Sequence, residues 1–595
     1  MRSSSRLGIP LAAVLGAVAL LLAGCAPTLP TDGEVSSEQI QMDGGYDYGG
    51  VPQSPQPGAE PEEIIEGFLD AGANAENDHE IAREYLTPEM AEQWNPWTHT
   101  LVYQEDNFSI DVAGEDVYSV QLTADSRVDS TGARTYPGDP NQETFEVEQV
   151  DGEWRISNAP DGKILEDGDF NISYDDYTLY FYDVQQRYTV PDVRWLIRQP
   201  GQSTELANRL LNGPVPWLAP GVVSAFEEGD SLGTPTVPVS DGVATVDLDP
   251  SVVAGASDYD LALMHYQLNM TLHQISLVSQ VELTVGGSPV ELPGPESSEM
   301  EQIAQIESSP SALERQIGVQ GDDLIWQLGS ETSTVASMPD LSEIEPRFPA
   351  VSTVAEGEVV AVMNGELNAL YHARADADEP ELLVEAESMT RPSMDNFGWT
   401  WTATYEDGES TIRAFNYQDP EASPVAVAAD FIEGREVTSL RISQDGTRAA
   451  LVVDDAGVRS LYIAGVVREA GSGAPWNLGQ SNRLHPDDQV EIGEVRWAQN
   501  DEVVVWQPYD PQDPEAELSD QTYIQRIGIS GDTEQPSPAL AAVLNVSVGE
   551  GRGTGPGRGT ILFEQQGEGV FQIVGSEIYR QDEIDEDVTD LSFSG

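Results

Sequence analysis

One cysteine, six histidines and one lysine occur among 595 residues, so nucleophilic, metal-ligating and amine chemistry can be followed residue by residue. His79 opens His-Glu-Ile-Ala-Arg. That stretch lacks the second histidine, one helical turn on, that a zinc-protease helix needs to bring two imidazoles onto one face. His265 and His273 stand eight apart in one predicted helix and can share a face, but no third ligand accompanies them; a surface or core-edge role is expected. His99, His372 and His485 are isolated. Neither a Gly-x-Ser-x-Gly elbow nor a phosphate-loop Gly-Lys-Ser/Thr occurs: the only Gly-Lys, Gly162-Lys163, is followed by Ile164. The run GEGRGTGPGRG (549–559) opens no helix and reads as an inter-strand loop. DEIDEDVTD (582–590) offers oxygen ligands for calcium but not the glycine of an EF-hand loop. Carboxylates are too numerous for any pair to nominate a glycosidase. Trp399, Trp401, Trp497 and Trp506 have strand-like spacing and are expected in cores rather than on a sugar platform. No catalytic residue, metal ligand or cofactor is predicted, and the chain is read as a non-enzyme.

The remaining candidate is the thiol of Cys25, in LLLAGCAPTLPTDG. Arg2 and Arg6 form a short positive start, and Leu7 to Leu22 is apolar and uncharged. At about 16 residues that run matches the core of a signal peptide and falls short of the roughly 20 of a membrane span. Leu22-Ala23-Gly24-Cys25 resembles the Leu-x-Gly-Cys lipobox of bacterial lipoproteins. The resemblance implies that the Cys25 sulfur carries a diacylglycerol in thioether linkage, that residues 1–24 are removed as a signal peptide, and that the new amino end is N-acylated. A single thiol forms no intramolecular disulfide, so stability must come from packed cores. No later stretch is apolar enough to span a bilayer, so the expected anchor is lipid alone, held by about 0.8 kcal/mol per buried CH2.

Charge narrows the partners. There are 104 acidic and 27 basic residues, for a net charge of −77, and loss of Arg2 and Arg6 with the signal would make it more negative still. Phosphate backbones require clustered positive charge, so no nucleic-acid partner is expected. The carboxylates run along the whole chain and are not gathered in one tail, which suits a surface kept soluble in salt. Arginine used almost to the exclusion of lysine suggests a GC-rich genome, and the acidity a salt-tolerant source. The thermal unfolding midpoint should therefore rise from dilute to molar salt; higher stability in dilute salt would overturn this.

Four kinds of segment follow the signal. Residues 25–59, with GGYDYGGVPQSPQPG, are compositionally a flexible tether. Residues 60–170 begin with helices: Pro61 suits a first turn, Glu62 and Glu63 its positive end, and Ile64, Ile65, Phe68 and Leu69 form a stripe. A second short helix is expected around Ile81 to Leu86. Strands follow, including a hairpin in FEVEQVDGEWRIS that turns at Asp151-Gly152. Helices followed by a curved antiparallel sheet resemble an NTF2-like α+β domain. In residues 171–295 a strand YTLYFYDV precedes a helix capped by Ser203 and stopped by Gly213-Pro214. The strand GVATVDLDP, a helix with a Ser257/Asp260 capping box, and the strand SQVELTVGG complete it. This β-α-β-α-β order resembles a GerMN α+β domain. Residues 296–316 read as a linker with a crossing helix.

Residues 317–595 are rich in short strands with a loose repeat. SLRISQDGTRAALVV and EVRWAQNDEVVVW share an arginine, an apolar and a small residue, Gln, then an acid or amide before a turn. Their arginines, Arg441 and Arg496, are 55 apart, and Arg391 and Arg347 open weaker copies 50 and 44 residues earlier. Periods of this size predict an all-β propeller of about six blades, with VTDLSFSG as a strand that closes the ring on the first blade.

Lipobox, NTF2-like unit, GerMN unit and propeller, in this order, resemble the LpqB family of actinobacterial lipoproteins. The resemblance implies an extracytoplasmic, membrane-anchored protein beside the MtrA–MtrB two-component system. Its implied partner is the extracellular domain of an MtrB-like sensor histidine kinase, whose signalling governs cell-wall homeostasis and division. The alternative is a propeller that binds or processes a cell-envelope glycan.

Overall fold

The computed structural model describes residues 52–594 apart from 137–139, 311–312, 470, 512–515, 550–559, 582–583 and 586. Cys25, the signal segment, the tether up to residue 51 and nearly all of the glycine-rich run at 549–559 lie outside the described residues, and DEIDEDVTD lies only partly within them.

The first helix, Pro61–Ala71, starts as its composition dictates: Glu60 and Glu63 form a reciprocal capping box and Pro61 fills the first turn. Its buried stripe of Ile64, Ile65, Phe68 and Leu69 packs with Phe145, Val147 and Ile156 of the sheet. Strands in that sheet run in the order Glu153–Asn158, Pro140–Val150, Val117–Asp129, His99–Gly114, Lys163–Glu166. The expected all-antiparallel pairing fails at one edge, where Thr100 to Tyr103 pairs in parallel with Lys163 to Glu166. The cause is a short connection: residues 159–162 join the two edge strands. Five flat strands would put those edges about 19 Å apart, and the link reaches at most about 18 Å, so the sheet curls. Lys163 is buried there, donating from Nζ to the Pro96 carbonyl at 3.0 Å, 4.9 Å above the Trp97 ring.

The second domain holds two helices, Gln202–Leu211 and Asp258–Leu272, over a sheet in which Val243–Leu248 and Gln280–Val285 run parallel. The Ser257/Asp260 capping box forms as expected. Ser203, expected as a cap, lies inside its helix: Gly201, at φ 88°, takes the cap position, and the Ser203 hydroxyl donates to the Val237 carbonyl. One further strand, Thr189–Ile197, pairs in hairpin register with Tyr174–Tyr182. Part of what it buries is ionic. Arg194 grips Asp192 with two bonds of 2.7 Å, and both side chains are at most 2% exposed. Arg194 also donates to the Thr131 carbonyl of the first domain at 2.7 Å.

Six blades form the propeller among the described residues, with a separate two-stranded pair of Gln521–Thr522 and Leu540–Ala541. Blades 2, 4 and 6 each have four strands in sequence order, beginning with Arg347–Ala350, Glu436–Ile442 and Val543–Gly549. Blade 3 begins with an inner strand broken into Ser388–Met389 and Ser393–Met394, and blade 5 with Glu494–Trp497. Blade 1 is built from both ends of the domain: Val588–Ser592 pairs antiparallel with Gln316–Gln320 and supplies the inner position. Buried acids at the inner-strand turns hold arginines, and one of them joins blades 3 and 4. Asp395 in blade 3 accepts from the backbone N–H groups of Phe397 and Trp399, from the Trp401 indole at 2.7 Å, and from Arg468 of blade 4 at 2.6 Å. Asp445, four residues after Arg441, pairs with Arg448 within its own turn instead.

The second domain is docked on the propeller by close backbone contact. Gly465 donates to the Trp217 carbonyl at 3.0 Å, and a Cβ on Gly221 would stand 2.8 Å from the Thr447 carbonyl oxygen. Trp195 reaches the Ser530 carbonyl and Arg187 the Asn396 carbonyl across the same junction.

Candidate functional site

A propeller's inner strands line one channel, so residues at equivalent positions of those strands form a ring. The repeat identifies that position. It is Arg347, Arg391, Arg441 and Arg496 in blades 2 to 5, Asn545 in blade 6 and Asp590 in blade 1, each followed by an apolar and, in most copies, a small residue. The four arginines singled out as repeat markers are thus the residues the fold brings together.

Their contacts cross the channel. Arg391 Nη1 donates to Asn545 Oδ1 on the opposite blade at 3.2 Å, and its guanidinium carbon lies 3.8 Å from the centre of the Phe348 ring. Arg347 Nε pairs with Asp590 at 2.6 Å. Glu494, one pleat before Arg496, lies 3.1 Å from Arg391 Nε and 3.7 Å from Arg441 Nη2, and accepts from the Ser439 hydroxyl at 2.8 Å. Burial alone would raise the Glu494 carboxyl, but Arg391 and Arg441 outweigh it and hold it below the ordinary range. Burial, with Asp590 beside it, pushes Glu564 up to about 7. Burial also lowers Arg441 to about 10, and burial together with the neighbouring Arg441 charge drives Arg496 well below its usual value.

Between the propeller and the second domain lies a cavity of about 340 Å³. Its propeller wall is Gln444, Trp497, Gln499 and Asn500; its other wall is Tyr180 and Pro191 of the second domain and Ser308 of the connecting segment. Asn500 Nδ2 donates to the Ser308 carbonyl at 3.1 Å, and Arg448 lies over the Trp497 ring at 5.1 Å.

The other candidates do not converge. His265 Nε2 meets the Val281 carbonyl, and His273 meets the Asn269 and Ser279 carbonyls. His79 is fully buried between Trp94 and Trp97, and burial lowers its pKa to about 3. Among the described residues no group of three or more His, Cys, Asp or Glu could hold a metal ion. Trp399, Trp401 and Trp506 are buried in blades, whereas Trp497 is half-buried on the cavity wall.

Three family models match the chain: the LpqB N-terminal domain over residues 54–171, a sporulation and spore germination domain over 178–291, and the LpqB beta-propeller domain over 322–555. Lipoprotein LpqB of Thermobifida fusca is 30% identical over 523 residues, covering 76% of this chain and 80% of that protein. The chain belongs to the LpqB lipoprotein family. The LpqB lipoprotein of Mycolicibacterium smegmatis is 25% identical over 573 residues, 90% of this chain and 91% of its own length. The first GerMN domain of the sporulation protein GerM from Bacillus subtilis is similar at 22% identity, covering 20% of this chain and 89% of that one, with a TM-score of 0.17. As an LpqB-family chain this protein combines a GerMN-type domain with a beta-propeller. No helix among the described residues is long and apolar enough to cross a membrane.

Proposed function

We propose that the chain is a lipid-anchored extracytoplasmic adaptor that binds the extracellular domain of an MtrB-like sensor histidine kinase and modulates its signalling, and through it cell-wall homeostasis and division. Membership of the LpqB family carries this reading. Cys25 is the proposed lipidation site, with a diacylglycerol thioether and an N-acyl group. The proposed tether runs from residue 25 only to about 51, because Tyr85 donates to the Gln53 carbonyl and the Gly58 N–H to Glu153, each at 2.7 Å, which fastens residues 53–59 to the body. The mutual docking of the three domains favours an adaptor, because a rigid composite surface binds without an ordering cost.

The test is capture of the kinase's extracellular domain by the full chain in detergent. Binding at tens of micromolar is expected even for a small signalling interface, of roughly 1,200 Å² or less. No binding there would overturn the adaptor reading. A second reading, recognition of an envelope glycan, is supported by Trp497 on the cavity wall. It requires saturable quenching of tryptophan fluorescence by glycan fragments that Trp497→Ala abolishes.

A further inference from the structure

We propose that the centre of the propeller channel is a binding site for a phosphate-type oxyanion, held by Arg441 and Arg496 with Arg391 beside them.

The first ground is charge. In a chain with 104 acidic and 27 basic residues, four of the six equivalent inner-strand positions are arginine. Guanidinium groups brought together in a narrow channel repel one another, and removing them from water is costly unless each is paired. The carboxylates among them are too few: Glu494 is shared by Arg391 and Arg441, Asp590 serves Arg347, and Glu564 titrates near neutrality. The cluster is left with an excess of roughly two positive charges, counted from these pairings with every arginine protonated. A divalent anion matches that excess; a neutral sugar or a monocarboxylate does not.

The second ground is unfilled donors. Arg441 is 1% exposed, and it donates from Nη1 to the Arg391 and Pro392 carbonyls at 2.9 and 2.5 Å, yet its Nε has no hydrogen-bond partner and its Nη2 has only the Glu494 carboxylate, at 3.7 Å and outside hydrogen-bond reach. Arg496 is 9% exposed and its Nε is also without a partner. A buried donor without a partner is costly, the more so when it is charged. The Nε/Nη2 edge of Arg441, which Glu494 approaches only to 3.7 Å, is the edge of a guanidinium that grips two oxygens of one oxyanion at once.

The third ground is access. The cavity between the propeller and the second domain is lined by Gln444 and Gln499, each three residues beyond Arg441 and Arg496 in the turns that follow the inner strands. We place the entry on that side, with the organic group of a phosphate monoester left in the cavity.

The experiment is calorimetric and thermal titration of the full chain in detergent with inorganic phosphate, with glycerol phosphate, and with chloride at matched ionic strength. Both phosphate species should give saturable heats and raise the unfolding midpoint beyond chloride, as a ligand of the native state must. Binding by inorganic phosphate alone would also support the site and would identify the free ion as its occupant. Arg496→Gln should weaken binding by about tenfold, the loss of one charge-assisted contact. If that variant does not fold, the wild-type titration decides by itself. Equal effects of chloride and phosphate, or no saturable heat with either phosphate species, would overturn the proposal, as would undiminished binding by folded Arg496→Gln.

Discussion

Replacing Asp395 by alanine should destabilise the protein by about 3–5 kcal/mol, the cost of removing one partner from a buried ion pair. The expectation rests on what Asp395 holds. One oxygen takes the Phe397 and Trp399 amides, and the other takes the Trp401 indole at 2.7 Å and Arg468 of the next blade at 2.6 Å. Alanine would leave Arg468 buried, with only the Gly446 and Gly473 carbonyls to receive its protons. It would also strand an indole N–H in the blade core, where Trp401 is fully buried. The control is Asp455→Ala: that carboxylate is 62% exposed and meets Arg435 at 3.2 Å, and an exposed pair of this kind contributes about 0–1 kcal/mol. Denaturant unfolding followed by tryptophan fluorescence, with Trp401 as the local reporter, measures both. Equal effects of the two substitutions would show that the Asp395 network does not join the blades.

The second large effect concerns location. If Cys25 is the lipidation site, Cys25→Ser should move the chain from the membrane to the soluble or extracellular fraction, because without the sulfur no thioether-linked diacylglycerol can form, and a single remaining acyl chain would give only marginal, reversible attachment. The unfolding midpoint should not move: with one cysteine in the chain, no disulfide is lost. Signalling should fall all the same, because a short flexible tether holds a partner at an effective concentration on the order of millimolar. Membrane retention of Cys25→Ser would refute lipidation and point to an uncleaved amino-terminal helix. Release with normal signalling would keep the anchor and remove the argument from tethering.

Sequence periodicity reveals the features that depend on neighbouring residues in the chain. The stripe from Ile64 to Leu69 and the capping box at Ser257 are local, and both were legible, as was the strand at Val588–Ser592. The repeat that opens at Arg441 and Arg496 was legible as a repeat but not as a site. Convergence of four arginines depends on blade register, which the uneven spacings of 44, 50 and 55 residues disguise because connecting loops differ in length. The strand Thr189–Ile197 was hidden for another reason. It carries Pro191 and buries the Asp192–Arg194 pair, so its inner face does not read as apolar. Ser203 was misplaced as a cap because Gly201 can take the left-handed conformation that begins this helix.

Blade 1 takes its innermost strand from the other end of the domain: Ile317 is paired with Ser592 and Gln320 with Val588. During synthesis this ring is an open arc until Val588–Ser592 has emerged. Five blades can stack as they appear, but each half of the first waits for the other, with Gln316–Gln320 exposing an unpaired edge throughout. Closing so long a loop is slow more than it is costly, since the entropy grows only with the logarithm of the span while the search for distant pairing limits the rate. A chain cut short before Val588 would thus be left with a permanently sticky edge, and the cell would meet it as an aggregation hazard as well as a missing function.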